Sequence, residues 1–501
     1  MEEYVIHISR YNPETDPRPV LKEYRLPRTE EKTVLEALLA IYEEVDSTLL
    51  FQFGCRYELC GKCTVKVNGR PALACKTPLE EVTILEPLDG FPIIRDLAVD
   101  RRGVLDGLRK QELVLSPGAG SETAVQPLEY FRLLRCNECG SCLSVCPMFL
   151  QGQAEGGPLF HVRSAELQRD VRDGKDRSKQ MQSAFLCTTC QACTAFCHAK
   201  IGMEEVVQGL RKEVFKAGLA PESFLTVKKR ILEQGNIYGL GARDRTQPVP
   251  PAMRELPKEA DLLLFTGCVP AYLDMHMVPD LGTVLDLTGT SFTSLGSGEV
   301  CCGFPLYLMG DEEFEPYARK VMAQIRATGA GRLLTPCAGC YKAFKGLYGS
   351  LGDMDMEVLH TLHYLDQAIR EGKLPFRREI RKRVTYHDPC DLGRGYGIFE
   401  EPRRILKAIP GVEVVEMARN RSTSRCCGGG GGLQVHEPEL AVEISATRVR
   451  DALDVGAEII VSGCAACKDN LRKGARTIPR NERGDLKVMD ITEILVQAAK
   501  S

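Results

Sequence analysis

Residues 136–147 read CNECGSCLSVCP and residues 187–198 read CTTCQACTAFCH. Each run has the form C-x2-C-x2-C-x3-C, the spacing that holds a [4Fe-4S] cubane, so the two runs predict a pair of cubanes. In such runs the fourth cysteine usually serves the other cluster. Cys136, Cys139, Cys142 and Cys197 are therefore assigned to one cubane, and Cys187, Cys190, Cys193 and Cys146 to the other. Pro147 closes the first run, while His198 takes the matching place in the second and reads first as a surface or capping residue, with approach to a cluster as the alternative.

The other cysteines are just as regular. Cys55, Cys60 and Cys63 read C-x4-C-x2-C, with Cys75 following a short hairpin. That is the spacing of a plant-type [2Fe-2S] site. The last ten form a repeat of Cys268, Cys301, Cys302, Cys337 and Cys340, then Cys390, Cys426, Cys427, Cys464 and Cys467. All 22 cysteines thus fall in clusters with metal-ligand spacing. A disulfide framework is the poorer reading, because a chain this long needs no staples and the N-terminus, MEEYVIHISRYN, has no export signal. Soft thiolates in such groups select iron–sulfur clusters or zinc. Their density suggests an anaerobic setting.

The 501 residues exceed one core and imply several domains. A net charge of −3 with 27% charged residues carries no nucleic-acid footprint, so no nucleic-acid partner is expected. No apolar run approaches the ~18 residues of a membrane span, so no transmembrane segment is expected. The chain reads as cytoplasmic, with membrane association only through a partner.

Along the chain, Tyr4, Ile6 and Ile8 alternate with polar neighbours as in a half-buried strand. A second strand is expected at Val20–Leu26, then a helix with Val34, Leu35, Leu38, Leu39 and Tyr42 on its apolar stripe. Thr64–Val67 and Pro71–Ala74 flank Asn68–Gly69, a hairpin turn that returns the chain to Cys75. Gly54 and Gly61 are expected to let backbone N–H groups reach cluster sulfurs. Strand signals thin out after residue 105, and the proline- and charge-rich stretch 241–258 reads as a linker.

Beyond it each copy of the repeat runs strand, cysteine, helix, strand, C-x2-C. In copy one these are Asp261–Phe265, a helix near Glu312–Thr328, and Arg332–Thr335; in copy two, Val384–Tyr386, Glu439–Leu453 and Ile459–Val461. The expectation is a multidomain α/β chain: a β-grasp [2Fe-2S] ferredoxin (1–105), an α-helical two-cluster ferredoxin (106–240), the linker, and two repeated α/β domains (259–378 and 379–501) with cysteines at strand ends. Five thiolates per repeat, two of them adjacent, exceed the need of a cubane or a tetrahedral zinc. Gly428–Gly432 lacks the Lys-Ser/Thr ending of a phosphate loop and reads instead as backbone that hugs a bulky inorganic cluster. Arg419, Arg421 and Arg425 precede Cys426 and are candidates to bind a sulfonate or phosphate, with a solvated basic loop as the alternative. His387 and Asp388 stand near Cys390, either as thiol proton relays or as strand-end caps.

The repeated pattern resembles the CCG domain of heterodisulfide reductase catalytic subunits. The first half resembles the iron–sulfur subunit of succinate dehydrogenase and fumarate reductase. It departs at Cys190, since quinone-linked members lack that cysteine and hold a [3Fe-4S] cluster there; a full cubane is implied, and no tryptophan is present to rebuild the usual quinone site. The fusion of the two halves is similar to the iron–sulfur subunits of thiol-driven fumarate reductases. That resemblance implies a noncubane [4Fe-4S] cluster in each CCG domain, with zinc as an alternative in one. It makes the ten repeat cysteines the catalytic set, where coenzyme M and coenzyme B are oxidised to a heterodisulfide. It also implies a flavoprotein partner whose FAD reduces fumarate to succinate. The rivals are a menaquinol-linked fumarate reductase or succinate dehydrogenase with CCG adaptors, the iron–sulfur subunit of a 2-hydroxyacid or glycerol-3-phosphate dehydrogenase, and a zinc scaffold.

Overall fold

The computed structural model describes residues 3–28, 31–116, 128–153, 156–173, 175–246, 259–352, 354 and 356–500. Two compact units make up the chain: Met1–Cys187 with Gln191–Val214, and Thr188–Cys190 with Phe215–Ser501.

The first unit opens with a five-stranded sheet of β1 (Glu3–Arg10), β2 (Val20–Pro27), β3 (Thr64–Val67), β4 (Arg70–Leu73) and β5 (Val82–Glu86), in the order β2-β1-β5-β3-β4. β1 pairs antiparallel with β2 and parallel with β5. The alternation in β1 buries Tyr4, Ile6 and Ile8 on one face. Helix Val34–Ala40 packs onto that face through Val34, Leu35, Ala37 and Leu38. Its start is fixed by a capping box, in which Thr33 accepts from Glu36 N and the Glu36 carboxylate accepts from Thr33 N. Asn68 and Gly69 both take positive φ, 49° and 74°, which makes the tight β3–β4 turn and sends the chain to Cys75.

After the small β6 (Ile93–Arg95) and β7 (Ala98–Val99) pair, the rest of the unit is helical, with no β-strand among its described residues. Each four-cysteine run wraps a single helical turn, Ser141–Ser144 in the first and Ala192–Ala195 in the second. Longer helices, Pro158–Arg169 and Met203–Lys216, bury Phe160, Val162, Val207 and Leu210.

The second unit holds two parallel four-stranded sheets. One has β8 (Leu262–Leu264), β9 (Phe292–Ser294), β10 (Arg332–Thr335) and β11 (Glu357–His360) in the order β11-β10-β8-β9. The other has β12 (Lys382–His387), β13 (Val412–Val414), β14 (Ile459–Ser462) and β15 (Lys487–Asp490) in the order β13-β12-β14-β15. Read from the opposite edge the orders coincide, so the sequence repeat is a topological repeat. The expected strands before each cysteine group are the inner ones, and the expected helices appear as Phe314–Arg326 and Pro438–Asp454. The outer strands β9, β11, β13 and β15 complete each sheet. Of the stretch expected to be a linker, Ala242–Thr246 forms a short helix and residues 247–258 lie outside the described residues. One apolar core joins both repeats, from Leu263, Phe265 and Leu333 to Val461 and Leu495.

Among the described residues no helix is long and apolar enough to cross a membrane. Leu333 is fully buried at the centre of β10. Leu333→Ala is expected to destabilise the second unit by about 2–5 kcal/mol, read as an earlier denaturant-unfolding transition.

Candidate metal centres

Parallel strands end where their cysteines begin. Cys268 opens helix Cys268–Tyr272 after β8, Cys337 caps helix Ala338–Lys342 after β10, and Cys464 caps helix Ala465–Thr477 after β14. Strand carboxyl ends and helix amino termini are where open α/β sheets place ligands, and the helix dipole favours thiolate there. The adjacent pairs Cys301–Cys302 and Cys426–Cys427 come from loops and are buried.

A cavity of about 280 Å³ lies inside this unit, lined by Cys268, Cys301, Cys302, Cys337 and Cys340 from one set and Cys390, Cys427, Cys464 and Cys467 from the other. Its remaining walls are largely apolar, with Phe224, Ile237, Phe304 and Met309 among them. Nine of the ten repeat cysteines therefore face one space. Arg230 is the one lysine or arginine among the described residues that line it, and Ser223 and Gln434 add neutral polar groups.

Within each set the thiols crowd one another. Cys427 Sγ lies 3.2 Å from Cys467 Sγ. Hydrogen bonds from Cys301 and Cys340 hold the Cys302 thiol down to about 6 despite its burial. Its neighbours are forced the other way: contact with Cys301 and then burial drive Cys268 well up, and contact with Cys302 and Cys337, then burial, does so for Cys340. In the second set Cys427 is pulled down by contact with Cys426 and Cys467, while Cys467 is pushed up by Cys427 and Cys464. Buried thiols this close cannot all ionise unless a positive core sits among them. The donor set fits iron–sulfur clusters: all sulfur, in groups of five, with four of each five buried.

Backbone donors complete the second set. Gly428 N donates to Cys426 Sγ at 3.3 Å and Gly429 N to Cys427 Sγ at 3.4 Å. A side chain at Gly428 would meet Ala441 O at 2.4 Å, and one at Gly430 would meet Thr188 O at 2.6 Å. The glycine loop thus brings N–H groups to sulfur where no Cβ fits. Thr188–Cys190 belongs to this unit: Arg394 Nε donates to Cys190 O at 2.7 Å, and Cys426 Sγ lies 3.6 Å from Thr188 Oγ1.

The arginines before Cys426 are not among the residues lining the cavity. Arg421 pairs with Glu400 at 2.6 Å, Arg425 pairs with Asp451 at 3.1 Å, and Arg419 offers its carbonyl to Arg448. The guanidinium groups of Arg421 and Arg425 are thus paired with carboxylates outside the cavity. Arg230 is the cation on the cavity wall, and it sits on a helix far from any cysteine motif, where sequence spacing carries no signal. Asp388 is held by Arg403 at 2.7 Å, with both side chains 1% exposed, and is no free proton relay. Burial, then Arg448, holds the His387 imidazole down to about 3, which keeps it neutral. At the first set, Arg245, from the stretch expected to be linker, forms a buried ion pair with Glu299 and lies 3.9 Å from Cys268 Sγ. Glu299 in turn accepts from Thr266 N and Gly267 N, each at 2.8 Å, and so orders the loop that delivers Cys268.

In the first unit, four backbone N–H groups point at the Cys55 and Cys60 sulfurs, from Cys55, Tyr57, Leu59 and Cys60, at 3.3–3.4 Å. The three that reach Cys55 Sγ, Tyr57 N first, bring the Cys55 thiol down to about 7. Gly54 allows the close approach, since a Cβ there would stand 3.1 Å from Cys60 Sγ. Cys197 joins the charges that act on both Cys136 and Cys142, although it lies in the other run. His198 turns inward rather than outward, its Nδ1 3.8 Å from Cys139 Sγ. Cys197→Ser is expected to delete the same low-temperature EPR signal as Cys136→Ser and to leave the second cubane signal in place; loss of different signals would break this grouping.

Residues 5–106 match a 2Fe-2S iron-sulfur cluster binding domain, residues 132–201 a 4Fe-4S dicluster domain, and residues 262–345 and 384–472 a cysteine-rich domain, CCG. A subunit of the fumarate reductase (CoM/CoB) of Methanothermobacter marburgensis is 31% identical over 98% of this chain and 99% of its own. A subunit of the dihydromethanophenazine:CoB–CoM heterodisulfide reductase of Methanosarcina acetivorans is 33% identical over 75% of this chain and 95% of its own. The crystal structure of a hypothetical protein from Helicobacter pylori shares the fold, with a TM-score of 0.65 at 11% identity, covering 100% of this chain and 95% of that one. The chain belongs to the same family as that fumarate reductase (CoM/CoB) subunit, and it is an iron–sulfur electron-transfer subunit of an oxidoreductase.

Proposed function

We propose that this subunit oxidises two thiols to a disulfide in the second unit and delivers the electrons to a partner flavoprotein whose FAD reduces fumarate to succinate. The observation that carries the reading is the single cavity lined by both repeat cysteine sets. Cys268, Cys301, Cys302, Cys337 and Cys340 would hold one noncubane [4Fe-4S] cluster, and Cys390, Cys426, Cys427, Cys464 and Cys467 a second. In the first unit, Cys55, Cys60, Cys63 and Cys75 would hold [2Fe-2S], in a β-grasp domain. Cys136, Cys139, Cys142 and Cys197, with Cys187, Cys190, Cys193 and Cys146, would hold two cubanes.

When bound, such clusters take up and pass on electrons one at a time. The chain's own residues supply the rest. Two sets on one cavity wall bring two thiol sulfurs together, and the apolar walls exclude water. Forming the S–S bond releases two protons and two electrons, and reducing fumarate to succinate consumes two of each, so the halves balance. Arg230 supplies a cation for an anionic group on the thiol, such as the sulfonate of coenzyme M or the phosphate of coenzyme B.

The test is an anaerobic assay of the subunit with its flavoprotein, comparing coenzyme M plus coenzyme B with a menaquinol analogue as donor. Fumarate-dependent disulfide formation is expected, and Arg230→Met is expected to raise KM for the anionic thiol roughly ten- to hundredfold. Turnover with the quinol analogue and none with thiols would instead make the CCG domains an adaptor and overturn the proposal.

A further inference from the structure

The two cysteine sets of the second unit are built by a repeat, so a polar group present in one and absent from the other stands out against the shared frame. Three residues before Cys390 stands His387, and three residues before Cys268 stands Phe265. Sixteen residues before Cys464 stands Arg448, and sixteen before Cys337 stands Val321. All four are buried, with relative exposures of 0–1%. At this place copy one is apolar, while copy two carries a hydrogen-bonded pair.

Arg448 Nε lies 3.2 Å from His387 Nδ1. A guanidinium has no acceptor and does not lose its proton, so Nδ1 accepts and the ring proton resides on Nε2. Arg448 itself is immobile: Nη1 donates to Arg419 O at 2.8 Å and to Asp451 Oδ2 at 3.0 Å, and Nη2 to Ser424 Oγ at 3.1 Å. The imidazole is therefore fixed in tautomer and in orientation. One of its ring nitrogens lies within 4.8 Å of both the Cys427 and Cys467 sulfurs, in a group whose geometry suits a shared metal centre. The other polar groups at the two sets differ in kind. Arg245 approaches Cys268 in copy one, and glycine backbone N–H groups reach Cys426 and Cys427 in copy two.

We propose that His387, held as its Nε2–H tautomer by Arg448, donates a hydrogen bond to the sulfur of the second-set centre and raises its reduction potential, a contribution for which the first set has no counterpart at the equivalent place. Donors to cluster sulfur stabilise the added electron, and hydrogen bonds to sulfur are one of the levers that set a cluster's potential. Arg448 acts through His387 and is its positioning residue. The inference rests on the reading that Cys390, Cys426, Cys427, Cys464 and Cys467 hold an iron–sulfur cluster.

The experiment is EPR-monitored redox titration of the anaerobically reconstituted full chain, with the second-set signal identified by its loss in Cys464→Ser. His387→Phe, which installs the residue of copy one, is expected to move that midpoint to more negative potential and leave the first-set midpoint unchanged. His387→Gln, which keeps an N–H, is expected to stay nearer the unmodified protein. Pulsed EPR of the unmodified protein in deuterated buffer supplies a readout that needs no variant. An exchangeable proton coupled to the second-set signal is expected, and it disappears in His387→Phe. An unmoved midpoint with iron retained overturns the proposal, as does a nitrogen coupling of the size that marks a direct histidine ligand. Absence of iron from the second set in the unmodified protein overturns the underlying cluster reading and the proposal together.

Discussion

Five thiols, four of them buried, packed around each repeat's strand ends are the constraint on which the second unit depends. Burial alone drives a thiol toward its neutral form, and mutual contact then lets one sulfur ionise only at the expense of its neighbour. Cys302 and Cys427 are pulled down while Cys268, Cys340 and Cys467 are driven up. A compact positive core removes that conflict, because every thiolate then has an opposite charge beside it. The glycine loop at 428–432, the helix amino termini at Cys337 and Cys464, and the Arg245–Glu299 clamp serve the same end. They bring donors and dipoles to sulfur, and at the glycine loop they do so where no Cβ fits.

The same logic runs through the first unit. Its cysteine loops are short, and their sulfurs receive backbone N–H groups directly, as at Cys55 and Cys60. The units differ in how their cysteines are set. The first unit's four-cysteine runs wrap single helical turns, whereas nine of the ten repeat cysteines in the second unit line one cavity.

Much of this was legible in the amino-acid sequence because cysteine spacing is a direct image of cluster geometry. The inner strands were visible too: Leu262–Leu264 and Ile459–Ser462 are buried throughout and read as short apolar runs. The outer strands were not, because Phe292–Ser294 and Val412–Val414 mix polar with apolar residues and form no apolar run. The site's polar residues divide the same way. Arg419, Arg421 and Arg425 drew notice by their nearness to Cys426 in sequence, yet carboxylates from other elements hold Arg421 and Arg425. Arg230 and Arg448 reach the site only through tertiary packing of helices, which no local pattern records. The stretch expected to be a linker contributes Arg245 for the same reason.

The central claim is that both cysteine sets of the second unit hold iron and border one cavity. Anomalous diffraction from anaerobically grown crystals, collected on either side of the iron and zinc absorption edges, tests it most directly. Two iron-dense peaks, one beside Cys302 and Cys340 and one beside Cys427 and Cys467, with the cavity between them, are the predicted result. A zinc peak at either set, or iron at one set alone, would contradict it.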